Sequence, residues 1–239
     1  MTDITLCIHT HKNLYHHPCD WMRVLATVDV EGADKIAQAM PGTRLDEFDS
    51  IAYASGLASD YVGVCHYRRR PVFTNITNCT AAKVYIEPTA ENLGFLCSPE
   101  QKQGALDILK NHDVIQYRPC SIAMNYRQQF AGFHDVRGWD IMMDVLTHLG
   151  MGGSIDFYTM SNYHVWASLF IAPTRVVTDF IRFALNVARL LGERQEYSKL
   201  LEANPRLTAL LLERLTPLWV FHHRLRSAYV PMIILEKEA

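Results

Sequence analysis

The chain has 239 residues, long enough to bury a sizeable core in one large domain or two small ones. With 23 Lys and Arg against 25 Asp and Glu, its formal net charge is −2, which argues against a basic surface for wrapping nucleic acid. No apolar run approaches the roughly 20 residues of a bilayer crossing, no basic-then-apolar leader opens the chain, and six scattered Cys form no CxxC pair, so reduced thiols in the cytoplasm are the expectation.

The segment "ITLCIHTHK" (4–12) reads as a buried strand that breaks into a polar loop. Residues 46–60 carry Phe48, Ile51 and Leu57 at helical spacing, with Gly56 near the end. "YVGVCHY" (61–67) follows as a strand buried on both faces, and helix into strand is the rhythm of an α/β sheet. "AAKVYIEP" (81–88) has strand character. "SPEQKQGALDILKNH" (98–112) opens like a helix, and "DVIQYRP" (113–119) is a short strand closed by Pro119. A helix is expected over 137–150 with Gly150 past its end, a turn at Gly152–Gly153, and a β-rich run over 164–173. The strongest helical pattern spans 175–203, with Val176, Phe180, Phe183, Val187, Leu190 and Leu191 as its apolar face. A second helix over 207–226 is disturbed at Pro217, and 229–237 returns as a terminal strand. No repeat or low-complexity linker divides the chain, so 1–239 is expected to be a single domain with helices at its C-terminal end.

In open α/β sheets ligands bind beyond the carboxyl ends of the strands. Two such ends carry chemistry: "HTHK" (9–12) and "CHYRRR" (65–70). If the strands are neighbours, His11, Lys12, His66, Arg68 and Arg69 converge on one crevice. Guanidinium forks and a Lys charge there suit the oxygens of a diphosphate. The competing reading is a solvated basic surface, with His9 and His11 in an ordinary polar loop. His9, His11, His16 and His17 match no common zinc spacing, so no metal site is assigned to them. Neighbouring His222 and His223 read as surface residues, and Trp139, Trp166 and Trp219 as core. No GxSxG, P-loop or GxGxxG sequence is present.

"HTHK", "YVGVCHYRRR", "DVIQYRP", "LFIAP" and "PRLTALLLERLTPLWV" occur in the order of one family. They resemble domain of unknown function 4422, described as capsular-polysaccharide-synthesis glycosyltransferases, over nearly the whole chain. The most specific element is the apolar strand running into His66-Tyr67-Arg68-Arg69. Arg206 and the Glu213-Arg214 pair also fit the family's ending. Arg70 stands where the family has an aromatic residue, and Ser168-Leu169-Phe170-Ile171 replaces Asn-Met-Phe-Ile. The resemblance implies a GT-A-like, Rossmann-type α/β sandwich with a mostly parallel central sheet. It implies transfer of a sugar from a nucleotide-diphosphate donor, such as a UDP-sugar, to a glycan or lipid-linked glycan of a bacterial capsule or O-antigen. A lipid-linked acceptor is compatible with peripheral membrane association. Thr10, His11 and Lys12 would face the nucleotide, His66, Arg68 and Arg69 the diphosphate, and Glu47 the ribose or the floor of the site. Asp135 and Glu213 are the candidate catalytic carboxylates on the acceptor side. The family's Asp-x-Asp place is taken by "CHYRR", so cationic side chains would replace a Mn or Mg ion on the diphosphate or share its load. The alternative is a nucleotide- or sugar-binding module without turnover.

Overall fold

The structure is a computed structural model that describes residues 2–10, 18–26, 46–74, 81–165 and 169–236; of 46–49 only the backbone is described. His11, Lys12, His16, His17, Trp166 and the side chain of Glu47 lie outside the described residues.

Six strands make the central sheet: β1 (Ile4–Thr10), β2 (Met22–Ala26), β3 (Tyr61–His66), β6 (Val114–Tyr117), β9 (Phe170–Pro173) and β10 (Ser227–Val230). Their order is β10-β6-β9-β3-β1-β2. β1 pairs in parallel with both β2 and β3, and β6 in parallel with β10. β9 runs antiparallel to both of its neighbours, so the other five strands all point the same way. Every residue of β1 is buried, as expected for a strand covered on both faces. Gly63 has a packing reason, since a Cβ there would lie 2.5 Å from Ile171 Cγ1 and 2.9 Å from the Phe170 carbonyl oxygen. Only a glycine lets β3 and β9 approach this closely.

Side-chain alternation splits the core in two. Cys7, Val62, Val64, Val114, Phe170 and Ala172 face one helical layer. That layer contains α1 (Asp46–Ser55), α5 (Val136–His148), α7 (Thr174–Gly192) and α9 (Leu207–His222). Ile4, Leu6, Ile8, Cys65, Ile115, Tyr117 and Ile171 face the other side. There α3 (Pro99–Leu109) packs, started by Ser98, whose hydroxyl accepts from the Gln101 N–H at 3.4 Å. Beside this layer, β4 (Arg69–Pro71), β11 (Met232–Leu235) and β5 (Lys83–Ile86) form a three-stranded sheet that packs with α2 (Ala90–Leu96). The remaining elements are β7 (Cys120–Ser121), β8 (Tyr163–His164), α4 (Tyr126–Ala131), α6 (Gly152–Met160) and α8 (Gln195–Ala203).

Three expectations are corrected. The long helix over 175–203 is two helices, broken at Glu193–Arg194, where Arg194 is extended (φ −88°, ψ 113°). A continued helix would carry the buried stripe from Leu191 onto Arg194, Gln195 and Ser198. Breaking and restarting turns Tyr197 and Leu200 inward instead. The buried face of α7 is centred on Val177, Phe180, Ile181, Ala184, Val187 and Leu191, with Val176, Phe183 and Leu190 on its flanks. The terminal strand is also two, because Pro231 has no N–H for the ladder; β10 stays in the main sheet and β11 crosses to the small one. Gly152 and Gly153 open α6 rather than forming a turn.

Candidate functional site

The carboxyl ends of β1 and β3 lie side by side, and His9 is the register partner of His66. Both side chains point to the α1 face, and both are buried. His9 had been expected in a polar loop; it is instead the sixth residue of β1, with Nδ1 sharing a 2.8 Å hydrogen bond with Ser50 Oγ of α1. Its parity with Thr5 and Cys7 was the available sequence signal. The next residue, Thr10, ends β1 and is also buried. The Tyr67 N–H donates to the His9 carbonyl at 2.9 Å, which ties the chain leaving β3 to the end of β1.

The three Arg of "CHYRRR" have three different surroundings. Arg68 sits in the turn after β3, exposed, with its guanidinium 5.5 Å from the Tyr67 ring centroid. Its backbone N–H donates to His66 Nδ1 at 3.4 Å. Arg69 is half-buried at the start of β4, and its carbonyl accepts from the Tyr117 hydroxyl at 2.8 Å. Arg70 is buried on the opposite side of the sheet from His9, and its Nη1 donates to Cys65 Sγ at 3.6 Å. Burial pushes the Cys65 thiol up, against the pull of Arg70, and pushes the Cys7 thiol up to about 12. Neither thiol is therefore a nucleophile at neutral pH.

A second polar cluster lies on the helical face and was not expected as a unit. Tyr126 stacks on Tyr158 at 4.1 Å and on His164 at 3.9 Å between ring centroids, and its hydroxyl accepts from the Val165 N–H at 2.8 Å. Arg214 donates to Gln129 Oε1 at 3.1 Å and to the Leu210 carbonyl at 2.7 Å, lies 5.2 Å from the Phe130 ring centroid, and pairs with Glu213 at 3.6 Å. Burial holds His164 and His134 below the ordinary histidine range, with Arg214 adding to both effects, so both rings are predominantly neutral at neutral pH. Glu213 borders this cluster. Asp135 does not: it is the N-cap of α5, exposed, with both carboxylate oxygens engaged by Arg137.

Among the described residues no three His, Cys, Asp or Glu side chains are placed to hold a metal ion. The described groups at the ends of β1 and β3 are imidazoles, a hydroxyl and guanidiniums, whereas Mg and Mn take carboxylate and other oxygen ligands. These residues do not fit a divalent cation. Among the described residues no helix is long and apolar enough to cross a membrane.

The family profile described as Domain of unknown function (DUF4422) matches residues 52–224. The chain belongs to this family. No curated protein matches it. Among solved structures, the DUF4422 chain is similar to the apo structure of the bifunctional glycosyltransferase WbbM. The TM-score is 0.81 at 11% identity, covering 100% of this chain and 46% of the WbbM chain. The likeness is one of fold, and this chain spans less than half of WbbM.

Proposed function

We propose that this protein is a nucleotide-sugar-dependent glycosyltransferase acting on a bacterial surface glycan, with residues 1–239 forming one catalytic unit of GT-A type. The observation that carries the reading is the juxtaposition of β1 and β3: two parallel strand ends present His9-Thr10 and His66, with Arg68 in the turn beyond. The whole-length fold likeness to WbbM supports it, as does the sheet, which has five strands of one direction and one reversed strand.

In the transfer, the bond between the sugar's anomeric carbon and the diphosphate breaks, and its electron pair leaves on the diphosphate oxygen. The acceptor hydroxyl oxygen bonds to the anomeric carbon and gives up its proton to a base. Fixed donors aimed at the leaving diphosphate lower the barrier without reorganising during the reaction. Arg68 and Arg69, with His66 and Thr10, are assigned that work, and His11, Lys12 and Glu47 remain assigned to the nucleotide. Glu213 is the favoured base, because it borders a half-buried polar cluster; the carboxylate of Asp135 is already engaged in capping α5.

Purified protein incubated with UDP-, GDP- and dTDP-sugars, with and without glycan acceptors, tests the reading through release of nucleoside diphosphate. Turnover that falls in Arg68→Ala is the expected result. Binding without turnover of any donor favours the non-catalytic module, and absence of nucleotide binding sinks the site.

A further inference from the structure

On the same face of the sheet as His9 and His66, a cleft of about 420 Å³ opens between α6, the end of α9, and strands β6 and β10. It lies within the size range of small-ligand sites, about 300–1,000 Å³. Gln116, the penultimate residue of β6, and Tyr229, its register partner on β10, form the floor. Since β6 is two strands from β3, roughly 10 Å separates the cleft from the His66 strand end.

Its walls carry aromatic side chains that ordinary packing would hide. Phe157 and Phe221 stack on one another at 4.9 Å with ring planes 7° apart, yet remain 66% and 44% exposed. Tyr163 and Tyr229 are also exposed. Hydrogen-bonding groups sit among them. Gln116 is only 2% exposed, and its one side-chain hydrogen bond among the described residues is at Oε1, accepting from Ser227 Oγ at 3.5 Å. Its amide N–H groups are thus left to the cleft. Arg224 also lines the cleft, with φ 53°, a left-handed conformation that is costly for a long side chain such as Arg. An acyl chain would have no use for the buried amide or the Ser and Arg groups. Exposed ring faces beside amide, hydroxyl and guanidinium donors match the alternating C–H and O–H surfaces of a pyranose ring.

We infer that this cleft is a saccharide-binding site that holds the acceptor glycan. The inference rests on the glycosyltransferase reading above, and the placement suits it: a diphosphate at β3 and a glycan at β6 and β10 leave about the width of one sugar between them.

The test uses the full chain and saturation-transfer NMR with the methyl pyranosides of galactose, glucose, mannose, rhamnose and N-acetylglucosamine, and disaccharides of each. At least one is expected to bind. Phe157→Ala and Tyr229→Ala, both at exposed positions, should each weaken it about tenfold, the upper range for one aromatic contact. Gln116→Ala should weaken it further. Nucleoside diphosphate affinity, measured in parallel by calorimetry, should be unchanged in the cleft variants. Nucleotide binding with no saccharide bound, or saccharide binding indifferent to these substitutions, overturns the inference while leaving the donor reading intact. Loss of nucleotide binding alone strikes the donor reading. Cosedimentation with phosphatidylglycerol–phosphatidylethanolamine vesicles that is abolished by Phe157→Ala, with no saccharide bound, would show a membrane-facing patch instead and overturn the inference.

Discussion

Replacing Arg224 with glycine should make the protein more stable. Helix α9 ends in a Schellman arrangement: the Arg224 N–H donates to the Phe221 carbonyl at 3.0 Å, and the Leu225 N–H to the Val220 carbonyl at 3.2 Å. That motif requires a positive φ at the residue past the cap, and Arg224 supplies it at 53°. The same motif ends α5, where Gly150 N–H donates to the Thr147 carbonyl, Met151 N–H to the Leu146 carbonyl, and Gly150 has φ 85°. A side chain in this region costs about 1–2 kcal/mol. Glycine relieves that cost but adds about 0.5–1 kcal/mol of unfolded-chain entropy, so the net gain is about 0.5–1 kcal/mol. Among the described residues the Arg224 side chain makes no hydrogen bond or ion pair that the change would forfeit. At about 2–4 °C per kcal/mol for a chain of this size, the midpoint should rise by about 1–4 °C in calorimetry. Gly150→Ala is the control: no atom lies within 4 Å of the added Cβ, so it should lose about 1 kcal/mol through backbone strain alone. If Arg224→Gly lowers the midpoint while Gly150→Ala also lowers it, the strain argument is wrong. If Arg224→Gly is stabilising and also weakens glycan binding, the strain is held there for the ligand, which is the usual trade between stability and function.

Arg68→Ala should cost about 1.5–3 kcal/mol of nucleoside diphosphate affinity, or roughly ten- to a hundredfold, in calorimetry, and Arg69→Ala a smaller loss. Unchanged affinity in both, with complete loss on chelation by EDTA, would move the diphosphate site to carboxylates elsewhere. Gly63→Ala should destabilise by about 1–3 kcal/mol, because its Cβ meets Ile171 and the Phe170 backbone in a close-packed sheet; denaturant midpoints measure this. His164 and His134 are held below their ordinary value of 6.5 in the fold, mainly by burial, so the unfolded chain binds more protons just under that pH. Stability should be level above pH 6.5 and decline below it, well before Asp113 and Asp135, ordinarily near 3.8 and lowered by Arg226 and Arg137, titrate. His164→Gln should flatten that decline in melting curves taken from pH 7.5 to 5.5.

The sheet was legible because its strands carry the simplest signal. Ile4–Thr10, Tyr61–His66 and Val114–Tyr117 are short apolar runs closed by polar residues, and each is a strand. Their neighbours in the sheet were less legible, since register depends on contacts between residues far apart in sequence. Helix breaks were harder to read: before 193–194 the only local stop signal is Gly192, which a helix also tolerates, and the phase of the buried stripe supplies the rest. The basic strand ends were visible as a candidate site. The Tyr126–His164–Arg214 cluster was not, because its members come from α4, β8 and α9 and no spacing relates them.

The three consecutive Arg also show what a residue count at a strand end leaves out. Such a run looks like one concentrated charge, but backbone geometry divides it. Arg68 lies in a turn, whereas Arg69 and Arg70 are successive residues of β4 and so project to opposite faces. Arg70 is spent inside the protein beside Cys65, on the face away from His9 and Ser50. A ligand approaching the ends of β1 and β3 therefore meets Arg68 first and Arg69 at most in part. The two substitutions should then be unequal, with Arg68→Ala the greater loss in nucleotide affinity and Arg69→Ala the smaller. Equal losses in the two would mean that the ligand reaches around the edge of β4, and would place the diphosphate nearer the small sheet than the end of β1.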